Sequence, residues 1–299
     1  MTPDASRTLP LDGAYDLSRT FALHEGKDPC HIKSETHFAK ATLTPAGPAC
    51  WRIERRDEAL DFKAWGPGAQ WCSERALDLS GLWDTGHSWH PSHPLIAKLA
   101  NQKPGIRIPK MHRVFEALLP FVLGQLVQGV EKARAWRFMV ASLGEDAPGP
   151  LDLRVPPAPK TLYRCSQARL KSWGVLGFQS RTLKELCFVA SRLEKASAMA
   201  PDDAVALLTK VRGIGPWTVG MAGLHSLGHP DAVPVGDYNL PGLVGHVLLG
   251  DRDALDEHGA MSELTQFAPN RGRAVLLMKT AGPPAKRRYA RAPMRDLKA

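Results

Sequence analysis

The 299-residue chain is 43% hydrophobic and 23% charged, an ordinary balance for a folded globular protein and enough length for one large or two ordinary domains. Its net charge of +9 and pI near 9.4 favour a polyanionic partner. No run of about eighteen apolar residues occurs, which excludes a spanning helix, and the opening MTPDASRTLPLDGAYDLSR lacks the basic-then-apolar order of a secretory signal. A cytoplasmic location without membrane attachment is the expectation.

Residues 1–10 show no periodic pattern and read as loose. Asp16-Leu17-Ser18 then opens a short helical pattern, LSRTFALHEG, with Asp16 or Ser18 as N-cap and Gly26 as a stop signal. From Phe38 to about Asp78 the runs HFAKATLTP, CWRIERRD, LDFKAWGPG and WCSERALDL alternate in part and are broken by Pro-Ala-Gly-Pro and Gly-Pro-Gly. That pattern predicts antiparallel strands joined by turns. Asp84–Pro94 carries His87, His90 and His93, but Pro91 and Pro94 spoil a common helical face and no Cys or carboxylate completes a ligand set. It reads as an exposed linker between domains.

Beyond it the patterns are helical: 93–102, His112–Leu123 with Pro120 inside it, Gln128–Leu143, Gln167–Trp173, Arg181–Lys195, Pro201–Lys210, then Leu243–Leu249, Leu255–Phe267 and Arg273–Thr280. The Pro-rich stretch 148–160 reads as a loop. The expected class is α+β, with a mixed sheet domain at 1–90, a helical domain at 91–282, and a basic tail at 283–299 of disordered composition. Cys30, Cys50, Cys72, Cys165 and Cys187 include no CxxC pair and read as reduced core thiols. With no thiol after Cys187, no iron–sulfur cluster is expected in the C-terminal part.

The most informative stretch is 207–241, LLTKVRGIGPWTVGMAGLHSLGHPDAVPVGDYNLP. Val211-Arg212-Gly213-Ile214-Gly215 separates two helical patterns, and Pro216 occupies the first helical position, where its missing N–H costs nothing. Glycines permit positive φ and close backbone approach, and the N–H groups opening the next helix suit a phosphate. After that helix a loop leads to Asp237. As the predicted start of another helix, Asp237 has an ordinary role as N-cap. Beside an anchored nucleic acid, its carboxylate could instead stabilise a cationic sugar or orient a water.

VRGIGPWTV followed by VPVGD resembles the helix–hairpin–helix–GPD superfamily of DNA glycosylases. The block from His93 to Glu145, HPLIAKLANQKPGIRIPKMHRVFEALLPFVLGQLVQGVEKARAWRFMVASLGE, is similar to its bacterial 3-methyladenine DNA glycosylase II branch, and Pro269-Asn270-Arg271 with LLMKT matches the last helix more loosely. Together these cover roughly residues 90–280. The resemblance implies a small antiparallel sheet domain followed by an all-α glycosylase domain. It implies a monomer acting on double-stranded DNA with damaged bases, nucleoid-associated in a bacterium.

By the same resemblance, Val211, Arg212, Gly213, Ile214 and Gly215 hold a DNA phosphate. Carbonyls near Thr209, Val211 and Ile214 share a monovalent Na⁺ or K⁺ ion with it, and no other cofactor is implied. Leu126 is the wedge that fills the gap left by an extruded nucleotide, with Gln125 beside it; the plain alternative for Leu126 is a buried core leucine. Asp237 is the catalytic carboxylate. Trp217 stands where members that also cut the backbone have a nucleophilic lysine, which implies a monofunctional, water-using enzyme. Trp217, Met221 and Lys279 are expected at the base pocket, where Trp217 could stack on a cationic alkylated purine. Relatives often have Tyr in place of Met221 and Trp in place of Lys279, so neutral lesions such as hypoxanthine or uracil stand beside alkylated purines. A non-catalytic DNA-binding protein is the reading from another class.

Overall fold

Strands of alternating pattern build one five-stranded antiparallel sheet in the computed structural model, which describes residues 1–24, 27–86 and 89–283. The strands are β1 (Ala5–Pro10), β2 (His31–Lys33), β3 (His37–Thr44), β4 (Gly47–Arg55) and β5 (Ala59–Trp65), in spatial order β1-β5-β4-β3-β2. Register pairs Phe38 with Ile53 and Ile53 with Phe62, a row of large apolar side chains on one face. That face is covered by Leu17 and Phe21 and by Cys72, Ala76 and Leu79. The opposite face, carrying Ala39, Ala41 and Cys50, is covered by Leu153 and Val155. Val155 belongs to β7 (Arg154–Val155) and Leu153 precedes it; β7 pairs with β6 (Glu145–Asp146) and falls inside the stretch 148–160 expected to be loop.

Two expectations fail here. Residues 1–10 are not loose, because Ala5–Pro10 pairs along its whole length with β5. The sequence hides this since only Leu9 of the strand is buried, the burial of an edge strand. WCSERALDL is not a strand; α2 (Ala69–Glu74) and α3 (Ala76–Ser80) occupy it. Its buried residues Cys72, Ala76 and Leu79, with Ala69 just before them, recur at three- and four-residue spacing, which places them on one helical face. The first helix, α1 (Leu17–Thr20), is shorter than its pattern, with Asp16 as N-cap accepting from Arg19 N at 2.9 Å. Gly26 and His87 lie outside the described residues, as does the tail from 284.

The helical part comprises α4 (Pro94–Gln102), α5 (Val114–Leu123), α6 (Gly129–Leu143), α7 (Pro159–Arg164), α8 (Gln167–Ser172), α9 (Gly177–Leu193), α10 (Pro201–Thr209), α11 (Pro216–Ser226), α12 (Leu240–Val244), α13 (Glu257–Leu264) and α14 (Arg271–Ala281). Helix α5 begins at Val114 and carries Pro120 inside it. One helical core gathers Leu118, Val122, Met139, Leu186, Leu208 and Ala222; another gathers Ile96, Leu224, Val244, Leu264 and Leu277. Residues Ala222 and Leu224 belong to different cores, so α11 is packed from both sides and held rigidly.

Polar ties join the sheet to the helices. Glu116 of α5 accepts from Lys40 in a buried ion pair and from Thr42 Oγ1 at 2.7 Å. Asp84 is not an exposed linker residue: its carboxylate is buried, accepting from Arg273 Nη2 at 2.7 Å and from Ile108 N at 2.8 Å.

Candidate active site

The hairpin between α10 and α11 is pinned from beneath. Val211 and Ile214 are buried, and the turn closes with Ile214 N–H donating to the Val211 carbonyl at 3.0 Å. Arg212 between them is exposed. The two glycines do different things. Gly213 has φ +87°, and a Cβ there would stand 2.0 Å from Thr182 Oγ1 of α9. Gly215 has φ −98° and is the N-cap of α11, so positive φ is not its role, and a Cβ there would meet nothing within 4 Å. The protein itself does not require glycine at 215. The N–H groups opening α11 lack helical acceptors, as at any helix start, and the positive end of the helix dipole lies behind them.

Between α5 and α6, Leu126 is 82% exposed and has φ +56°. The core-leucine explanation therefore fails. A non-glycine residue in the left-handed region costs about 1–2 kcal/mol, and such strain persists only where neighbours impose it. Gln125 Nε2 donates to the Gly213 carbonyl at 2.9 Å and to Thr218 Oγ1 at 3.0 Å, tying this loop to the hairpin. From the other side, buried Gln179 donates to the carbonyls of Gln125 at 2.9 Å and Leu123 at 3.2 Å.

Asp237 is half-buried and is not a helix cap; α12 begins at Leu240 with Asn239 as its N-cap residue. Its carboxylate accepts from Trp217 Nε1 at 2.9 Å through Oδ2 and from Asn239 N at 2.8 Å through Oδ1. Each oxygen thus has a fixed donor and each retains lone pairs. Leu126, Gly213, Gly215, Trp217, Asp237 and Tyr238 line one open cleft of about 1700 Å³. Leu126, the hairpin and the Asp237 carboxylate, far apart in sequence, share one surface.

No family model matches the sequence. Over 72 residues the chain is 39% identical to YfjP of Bacillus subtilis (strain 168), a provisionally named DNA-3-methyladenine glycosylase; the match spans 24% of this chain and 25% of that protein's length. The structure superposes on a 3-methyladenine DNA glycosylase from Archaeoglobus fulgidus with a TM-score of 0.74 at 14% identity, over 91% of this chain and 96% of the other. This chain has the DNA glycosylase fold. The same holds against the Clostridium acetobutylicum 8-oxoguanine glycosylase/lyase bound to double-stranded DNA, with a TM-score of 0.68 at 15% identity over 93% and 97% of the two chains.

Within the glycosylase fold, Trp217 stands beside Asp237, while Met221 follows one helical turn deeper on α11. Lys279 lies on α14 and is exposed; of the three residues expected at the base pocket only Trp217 lines this cleft, and neither Met221 nor Lys279 does. Sequence reasoning missed Gln179 and Thr182, which brace the loop and the hairpin, and Tyr238, an aromatic 82% exposed beside the carboxylate. Phe121 was missed too: its ring stands edge-on to Trp217 with centroids 6.4 Å apart. Only Tyr238 had a visible signal, its adjacency to Asp237.

Proposed function

We propose that the protein is a monofunctional DNA N-glycosylase that removes damaged purines by base extrusion and Asp237-assisted hydrolysis. The observation that carries this reading is the Asp237 carboxylate, oriented by Trp217 and Asn239, in one cleft with the glycine hairpin and the exposed Leu126. The hairpin's free N–H groups grip a phosphate, which positions the duplex without reading its sequence. Leu126 enters the stack as the lesion rotates out. As the glycosidic bond lengthens, positive charge grows on the sugar, and the Asp237 carboxylate stabilises it and directs water to the anomeric carbon. The products are a free base and an abasic site. Val211 keeps a second carbonyl lone pair after accepting from Ile214, so its oxygen, with those of Thr209 and Ile214, fits a monovalent cation that would share the phosphate.

Trp217 has no nucleophilic nitrogen for a Schiff base, which supports hydrolysis over lyase chemistry. As to the lesion, Trp217 favours a flat cationic purine such as an alkylated one. Met221 offers no aromatic face, and Lys279, though outside the cleft lining, puts positive charge near His225; both favour an uncharged base. The test is incubation with duplexes carrying single defined lesions, followed by alkali to reveal abasic sites. Strand cleavage before alkali refutes the monofunctional reading. Full excision by Asp237→Asn refutes the catalytic assignment, and binding without excision of any lesion leaves a DNA-binding module.

A further inference from the structure

Inward along α11 from Trp217, beyond the residues lining the cleft, the fold holds charged and protonatable groups that the hydrolysis does not use. Trp217, Met221 and His225 follow one another at four-residue spacing on α11 and share a helix face. Phe121 of α5 lies across that face, edge-on to Trp217 and edge-on to His225 at 4.8 Å between centroids. Over Phe121 stands Lys132 of α6, with Nζ 5.4 Å from the ring centroid and its stem against Gly124, at the root of the wedge loop. Lys132 is therefore placed between the wedge and the inner end of the α11 stripe.

The charges around it are mostly of one sign. Lys132 and Lys279 both act on His225, and Lys279 also acts on Lys132. Asp28 opposes them, its Oδ2 accepting from Trp136 Nε1 at 2.8 Å. His225 is buried and its Nε2 finds no hydrogen-bond partner among the described residues. Burial holds the Lys132 ammonium below the usual lysine range, and the Lys279 charge adds to this while Asp28 opposes it. An amine so placed gains from a neutral acceptor and loses from a further cation.

We infer that Lys132 is a specificity-determining residue, which with His225 and Lys279 selects uncharged purines bearing a carbonyl oxygen over purines made cationic by N-alkylation. This rests on the glycosylase reading above. The base rotating in beside Trp217 presents its polar edge to the inner end of the stripe. There Lys132 donates to the carbonyl oxygen in a charge-assisted hydrogen bond, and the neighbouring cations disfavour a charged ring.

Single-turnover excision from duplexes carrying 8-oxoguanine, hypoxanthine or 7-methylguanine tests it. The last keeps a carbonyl but bears a positive charge, so it isolates the effect of charge. The parent chain is expected to prefer the two neutral bases relative to their uncatalysed rates of loss. Lys132→Met should lower their excision about 30-fold or more and leave that of 7-methylguanine unchanged or raised. Lys132→Gln, which keeps a donor without the charge, should give an intermediate ratio. Binding to a duplex holding an abasic-site analogue, with no base to read, should stay within about threefold in both variants, as folded protein requires. Equal loss on all three lesions, or a lesion ratio indifferent to position 132, overturns the inference. Asp237→Asn separates the two readings. If excision depends on Asp237 while the ratio ignores Lys132, only the specificity claim fails; if excision is untouched by Asp237→Asn, the glycosylase reading fails.

Discussion

The two hairpin glycines make opposite predictions for alanine. At Gly213, with φ +87°, alanine meets the cost of the left-handed region, about 1–2 kcal/mol, and its Cβ would overlap Thr182 Oγ1 at 2.0 Å and Cγ2 at 2.9 Å. Relieving such overlap in a packed core costs about 1–3 kcal/mol. Gly213→Ala should thus destabilise by roughly 2–5 kcal/mol, and at about 2–4 °C per kcal/mol for a chain of this size the thermal midpoint falls by several degrees. At Gly215, φ is −98° and the Cβ position is open, so alanine should change stability by no more than about 0.5 kcal/mol. Its methyl group instead projects where a phosphate would approach the opening N–H groups. Losing one charge-assisted hydrogen bond of about 1.5–3 kcal/mol weakens DNA binding roughly 10- to 100-fold. Thermal unfolding and fluorescence anisotropy on an abasic-analogue duplex separate the two effects. Thr182→Ala should partly rescue Gly213→Ala and do nothing for Gly215→Ala. A Gly215→Ala protein that melts early, or binds DNA as the parent does, would refute the division of roles.

Trp217→Phe keeps the ring but removes the Nε1–H donor to Asp237 Oδ2; excision should fall about 10- to 100-fold with DNA binding retained, and an unchanged rate would show that the bond does not orient the carboxylate. Burial holds His24, His31 and His225 below the usual histidine range, with Lys40 adding to the effect on His24 and His31, and Lys132 and Lys279 on His225. Their neutral forms are the ones the fold accommodates, so unfolding takes up protons: stability is full above the ordinary histidine value of about 6.5 and falls as pH drops below it. Melting midpoints between about pH 7.5 and 5 should show this slope, His225→Gln should flatten it, and a level profile in the parent chain would contradict it. Glu116→Gln strands buried Lys40 without its anion and should cost about 3–5 kcal/mol, whereas chemical denaturation showing under 1 kcal/mol would mean the pair is solvated in solution.

What was legible in the sequence was local. The start of α6 could be placed because Gln128 N–H donates to Glu131 Oε2 at 3.0 Å, within a single helical turn, and the hairpin because Gly-x-Gly-Pro punctuates two apolar periods. Strand β1 escaped notice because it pairs on one side only and exposes Ser6, Arg7 and Thr8. The Trp71–Leu79 stretch was misread because Trp, Cys and Leu suit a strand by residue type, while its burial spacing is helical. From residues alone Asp237 carried two readings, a helix cap and a charge-stabilising carboxylate, and only the resemblance favoured the second; the donor that fixes it lies 20 positions away on α11. The brace from Gln179 to Gln125, 54 positions apart, leaves no local pattern for a sequence reading to find.

Those long-range bonds explain how a strained, exposed leucine and a half-buried carboxylate can share one geometry. Gln179 fixes the wedge loop to α9, Gln125 carries it to the hairpin carbonyl of Gly213, and Trp217, at the start of the helix that the hairpin opens, holds Asp237. Each bond contributes only about 1 kcal/mol net, comparable to the strain at Leu126. The gain is therefore in position more than in stability. On the proposed reading, a phosphate seated on the hairpin would fix where Leu126 enters the stack and where the carboxylate meets the sugar, because all three hang from α11 and its neighbours. Since α11 is packed between two cores, this frame cannot relax by moving the helix. Loop residues on an ordinary surface would settle into lower-energy backbone conformations; here the frame holds Leu126 outward in the free chain, so on the proposed reading little ordering would remain to be done on binding DNA.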